Sequence, residues 1–97
     1  MNVNVYTKQD CTYCTRTKKM LDANGVEYTE INIDDDPVAK RQVTEVWGFT
    51  QVPVVETDND VFSGWKPLEV NRVIMDYQEE HGGPEASVFD WEEVNGA

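Results

Sequence analysis

The sequence predicts an α/β fold, a four-stranded mixed sheet flanked by helices in the order β-α-β-α-β-β-α. Three observations predict it. Short runs in which apolar and polar residues alternate, the period of a half-buried strand, trade places along the chain with longer stretches of helical period. Capping and breaker residues separate the two kinds of segment. The whole pattern closes at Glu80, a length that suits a single hydrophobic core. Strands that alternate with helices bury both faces of one sheet, which is the layered α/β solution.

The elements follow in order. "VNVYT" (3–7) alternates Val3 and Val5 with Asn4, a strand signal. "CTYCTRTKKMLDANG" then spaces Tyr13, Thr17, Met20 and Leu21 as a helix does, and Asn24-Gly25 stops it. "VEYTEINI" (26–33) puts Thr29, Ile31 and Ile33 on one face of a second strand. "DDDPVAKRQVTEVWG" opens a second helix with Asp36 as N-cap and Pro37 at the first helical position. Val43, Val46 and Trp47 form its apolar stripe, and Gly48 ends it.

"VPVVET" and "DVFSG" flank "DND" (58–60), two strands joined by a tight turn. "KPLEVNRVIMDYQEE" spaces Val70, Val73, Ile74 and Tyr77 at i, i+3, i+4 and i+7, a third helix with Pro67 near its start. His81-Gly82-Gly83-Pro84 breaks the pattern, so the domain is expected to span 1–80. A tail over 81–97 follows, with four acidic residues, no Lys or Arg, and the apolar Val88, Phe89, Trp91 and Val94. Ser87 and Asp90 resemble a capping box, so a short docked helix is expected there.

Charge narrows the function classes. Against 8 Lys and Arg stand 19 Asp and Glu, a net charge of −11. So acidic a balance argues against nucleic acid as a partner, because phosphate binding needs a basic patch. No stretch approaches the roughly 20 apolar residues that span a bilayer, so no membrane association is expected. The first ten residues lack the apolar core of an export signal, and a cytoplasmic location is expected. Yet four of the eight basic residues, Lys8, Arg16, Lys18 and Lys19, fall within twelve positions around the only two cysteines, Cys11 and Cys14.

A Cys-x-x-Cys pair serves a metal, a staple or redox chemistry. A structural zinc site takes four Cys or His ligands, and the chain offers Cys11, Cys14 and His81; no metal is expected. A bridge across two residues closes almost no loop, so it adds little as a staple. Redox chemistry fits the position. Cys11 opens a helix directly after a strand, where free N–H groups and nearby cations favour thiolate and lower the thiol pKa from about 8.5 toward roughly 7. Cys14, one turn inward, is the more shielded, so Cys11 is expected to attack and Cys14 to resolve.

These residues resemble the glutaredoxin branch of the thioredoxin superfamily. "CTYC" is close to the glutaredoxin "CPYC", with Thr12 in place of Pro, and "VP" at Val52-Pro53 stands before a hairpin as it does there. The resemblance covers residues 1 to about 80 and implies a thioredoxin fold with a cis Val52-Pro53 bond. It also implies an extended substrate lying against the backbone of Val52. Within the branch, glutathione users typically carry a Gly-Gly followed by an acidic pair that holds the γ-glutamyl end of glutathione. Here Ser63-Gly64-Trp65-Lys66 stands in that place. "SGWKP" instead resembles the "SGFRP" of NrdH-type redoxins, with Trp65 for Phe and Lys66 for Arg. Leu68 replaces a common Asp, Phe62 replaces a frequent Trp, and "CTYC" replaces the usual "CVQC" or "CMQC".

The resemblance implies a dithiol–disulfide oxidoreductase that needs no cofactor of its own. It implies thioredoxin reductase as electron donor and class Ib ribonucleotide reductase as acceptor, with the chain working as a monomer. The alternative is a glutathione-dependent glutaredoxin. A further alternative is a non-enzymatic binding module that docks through the acidic tail. Besides Cys11 and Cys14, the residues expected at the substrate or partner site are Lys8, Thr12, Tyr13, Val52, Pro53, Ser63, Gly64, Trp65 and Lys66. Trp47 is expected to pack, Tyr13 to be exposed beside the cysteines, and Trp65 is open to either reading.

Overall fold

β1 (Asn4–Thr7) is the strand around which the rest assembles, in a computed structural model that describes residues 1–81. It pairs in parallel with β2 (Thr29–Asn32) and antiparallel with β3 (Val54–Glu56), which in turn pairs antiparallel with β4 (Val61–Ser63). The sheet order is β2-β1-β3-β4, the mixed four-stranded sheet expected. The expected tail, including its helix at Ser87–Asp90, lies outside the described residues. No helix among the described residues is long and apolar enough to cross a membrane.

Because successive side chains of a strand point to opposite faces, β1 and β3 each feed two cores. Val5 and Val55 face α1 (Thr12–Ala23) and α3 (Pro67–His81), meeting Met20, Leu21, Val70 and Ile74. Tyr6 and Val54 face the other way, toward Ala39, Val43 and Ile33 under α2 (Pro37–Arg41). The ends of α1 and α3 are tied by polar bonds inside the core. The Asn24 amide donates to the Met20 carbonyl at 2.8 Å, and the buried Gln78 amide donates to the Asn24 carbonyl at 3.3 Å.

The expected cap of α2 is present: Asp36 Oδ1 accepts from the Ala39 N–H at 3.0 Å, and Pro37 follows at the first helical position. The rest of that helix differs from expectation. After Arg41 the chain continues as a π turn over Gln42–Val46, and the wider turn changes which side chains face the sheet. Val43 stays buried, but Val46 is 65% exposed rather than part of the apolar stripe. Trp47 packs as expected, with its ring edge-on to Tyr6 at 5.6 Å. Gly48 takes a positive φ of 70° and ends the element.

The buried stripe of α1 begins at Cys14 and runs through Thr17, Met20 and Leu21, while Tyr13 is 50% exposed, as expected. Two further differences are local. Thr29 is exposed because it starts an edge strand; only Ile31 and Ile33 pack beneath α2. His81, expected as the first breaker residue, is the last residue of α3 and stacks on Tyr77 at 4.1 Å.

Leu21 is 0% exposed, so Leu21→Ala should cost about 2–5 kcal/mol of unfolding free energy. Val46→Ala should stay within about 0.5 kcal/mol, as surface changes usually do. Urea unfolding of both variants checks the pair; a large loss at Val46 would contradict the outward turn of that residue.

Candidate active site

The chain leaves β1 at Thr7, turns through 8–10 and enters α1. Asp10 takes a φ of 58°, a left-handed conformation that Asp tolerates better than most residues. This turn brings Cys11, in extended backbone, to the N-cap of α1. Its Sγ accepts from the Cys14 N–H at 3.1 Å, standing where a Ser or Asp oxygen usually caps. Cys11 and Cys14 are joined as a disulfide with their Cα atoms 5.2 Å apart. Cys11 is partly exposed and Cys14 is 2% exposed. The free N–H groups of a helix's first turn favour negative charge at its cap.

The Val52–Pro53 bond is cis, as the resemblance implies. Pro53 is buried at the approach to β3, and Val52 is half-buried. Two bonds from the end of β4 hold this loop. The Ser63 hydroxyl donates to the Gln51 carbonyl at 2.7 Å, and the Gly64 N–H donates to the Pro53 carbonyl at 2.8 Å. Gly64 has a φ of +93°, and a Cβ there would lie 3.1 Å from Gln51 Oε1.

Between Cys11 and this loop lies a groove of about 660 Å³. Of the residues expected at the site, Lys8, Cys11, Thr12, Tyr13, Val52, Gly64 and Trp65 line it together. Cys14, Pro53 and Ser63 do not line it: the first two are buried, and the third holds Gln51 from β4. Lys66 lies outside the groove, exposed at the start of α3, its carbonyl accepting from the Val70 N–H at 3.0 Å. Trp65 is half-buried. It packs against the α1–α3 core, and its ring stacks on exposed Tyr13 at 6.2 Å and 10° between planes. The Arg16 guanidinium lies 5.6 Å from the centre of the Tyr13 ring.

Sequence reasoning passed over Phe49, Thr50 and Gln51, and over Asp34 and Lys40, all of which line the groove. The first three directly precede Val52-Pro53, and that adjacency is the signal that could have found them. Asp34 also anchors the loop before Cys11, accepting from the Gln9 N–H at 3.2 Å.

Comparison with known proteins agrees with this geometry. The glutaredoxin family model matches residues 3–62. The chain is similar to the glutaredoxin-like protein NrdH of Lactococcus lactis subsp. cremoris, 38% identical over 71 residues, 73% of this chain and 97% of that one. It is similar to glutaredoxin 3 of Escherichia coli, 35% identical over 67 residues, 69% of this chain and 81% of that one. Among solved structures it resembles the NrdH-redoxin of Escherichia coli, with a TM-score of 0.70 and 34% identity over 75% of this chain and 95% of that one.

Gly64→Ala should cost about 1–2 kcal/mol, the penalty of a side chain in a left-handed backbone. Chemical denaturation measures it; an unchanged midpoint would show that the Gln51–Pro53 loop accommodates a Cβ without strain.

Proposed function

Because the chain belongs to the glutaredoxin family and is a thiol–disulfide oxidoreductase, we propose that it carries electrons from thioredoxin reductase to a class Ib ribonucleotide reductase. The observation that carries the choice of donor is the start of α3. No acidic pair follows Gly64; the first acid there, Glu69, is paired with Arg72 at 3.1 Å. Trp65, in the segment that by resemblance replaces the acidic pair of glutathione users, is instead stacked on Tyr13. The Escherichia coli NrdH-redoxin has a thioredoxin-like activity profile, which supports the same donor here. The glutathione-dependent reading is favoured by "CTYC" and by the similarity to glutaredoxin 3.

The exchange runs in two steps. Cys11 thiolate attacks a partner disulfide, forming a mixed disulfide and releasing one partner sulfur as thiolate. Cys14 then attacks the Cys11 sulfur, closing the Cys11–Cys14 bond and releasing the second partner sulfur. Two electrons pass to the partner, and thioredoxin reductase restores the dithiol. The cap position of Cys11 and the burial of Cys14 support this division of roles. Lys8, Thr12, Tyr13, Val52 and Trp65 receive an extended partner segment in the groove, while Pro53, Ser63 and Gly64 hold the loop in place. Lys66 meets a partner beyond the groove. The protein works as a monomer in the cytoplasm.

Two measurements test this. A coupled NADPH assay should turn over with thioredoxin reductase and not with glutathione plus glutathione reductase; the reverse pattern would replace the donor. Cys14→Ser should accumulate a mixed disulfide through Cys11; a trapped adduct on another residue, or none, would overturn the roles.

A further inference from the structure

Two cavities meet at the disulfide, and they differ in chemistry. The groove that holds Tyr13, Val52 and Trp65 reaches Cys11 but not Cys14. A second cavity of about 580 Å³ is lined by both cysteines and by polar side chains, among them Thr7, Lys18, Glu30 and Asn32. Lys18 follows Cys14 by four positions on α1, so the two side chains share one helix face a turn apart. Its ammonium is held in place. Lys18 Nζ donates to Glu30 Oε2 at 3.0 Å, and the buried Thr7 hydroxyl donates to the same oxygen at 3.0 Å. The Lys18 hydrogen bond is the main cause that keeps the Glu30 carboxyl below the usual carboxylate range.

We propose that Lys18, pinned by Glu30 and Thr7, is a positioning residue for the resolving step, its charge poising the buried Cys14 thiol to lose its proton into the polar cavity. The proposal rests on the reading of Cys14 as the resolving thiol. A buried thiol resists ionisation, and a cation on the same helix face, lining the same cavity, offsets that resistance. The geometry also separates two kinds of traffic. The partner occupies the apolar groove at Cys11, and the Cys14 proton leaves to water through the other cavity. Cys14 thiolate then forms the bond to Cys11 Sγ, and the Cys11–partner bond breaks with its electron pair on the partner sulfur, which takes a proton from water.

The other charged groups lining the cavity with Cys14 are Lys8 and Asp10, from the loop after β1, and Glu30, from β2. Lys8 lines both cavities, and Lys18 lines only the one that both cysteines share. What sets Lys18 apart is its place one helical turn from Cys14. Arg16 lies over the Tyr13 ring instead.

The test is the reaction of the reduced full chain with Ellman's disulfide, whose coloured thiol is released in two phases. The first reports attack by Cys11, the second resolution by Cys14, and each is followed against pH. Lys18→Met should slow the second phase about three- to tenfold at pH 7 and raise its midpoint by about half to one pH unit, with little change in the first. Glu30→Gln keeps an acceptor oxygen for Lys18 and Thr7 but removes the opposing charge, so its second-phase midpoint should fall. Lys18→Arg should behave as the wild type. A second phase unmoved in Lys18→Met, or midpoints that shift the same way in Lys18→Met and Glu30→Gln, would overturn the proposal. Loss of the two-phase pattern in the wild type would instead overturn the reading of Cys14 itself.

Discussion

The site depends on where α1 begins. β1 ends at buried Thr7, and after the left-handed turn at Asp10 the helix starts with the Cys11 sulfur as its cap. That single contact, from the Cys14 N–H to Cys11 Sγ, decides which sulfur faces the helix dipole and which is carried inward. Were the helix to start one residue later, the buried stripe of Cys14, Thr17 and Leu21 would rotate away from the sheet. The packing of α1 and the inequality of the two thiols are therefore one constraint.

The sheet order explains why the remaining groups gather at this point. β1 lies between β2, which runs parallel to it, and β3, which runs antiparallel. The ends of β1 and β2 and the beginning of β3 thus share one edge, and the loops there meet. Ligand sites of open α/β sheets commonly form at the carboxyl ends of the parallel strands. Here β1 delivers the cysteines, β2 delivers Asn32 and Asp34, and the approach to β3 delivers Val52 and cis Pro53. The end of β4 then secures that approach through Ser63 and Gly64.

Most of this was legible in the sequence. Alternation marked β1 and β2; the tight turn at 58–60 marked β3 and β4; helical spacing marked α1 and α3; and Asp36-Pro37 marked the start of α2 through its cap. The cysteines announced their chemistry by spacing and by following a strand. What escaped notice had physical reasons. A π turn has no composition signal, so Val46 was placed on the wrong face. The exposure of Tyr13 was expected, but its stacking on Trp65 joins residues far apart in sequence, which no local spacing shows. Phe49, Thr50 and Gln51 come to the groove from an irregular connection, which has no periodicity to read. The Lys18–Glu30 pair joins residues of two elements, and only the β1–β2 register brings them together.

The account stands on the inequality of two thiols that are three residues apart. Alkylation of the reduced chain with iodoacetamide across a range of pH, with each cysteine read separately by mass spectrometry, measures it most directly. Cys11 should react as a thiolate well below the ordinary thiol pKa of about 8.5, with Cys14 lagging behind it at every pH. Cysteines that titrate together near that ordinary value, or Cys14 reacting first, would contradict the capping of α1 by Cys11 as the source of the activity.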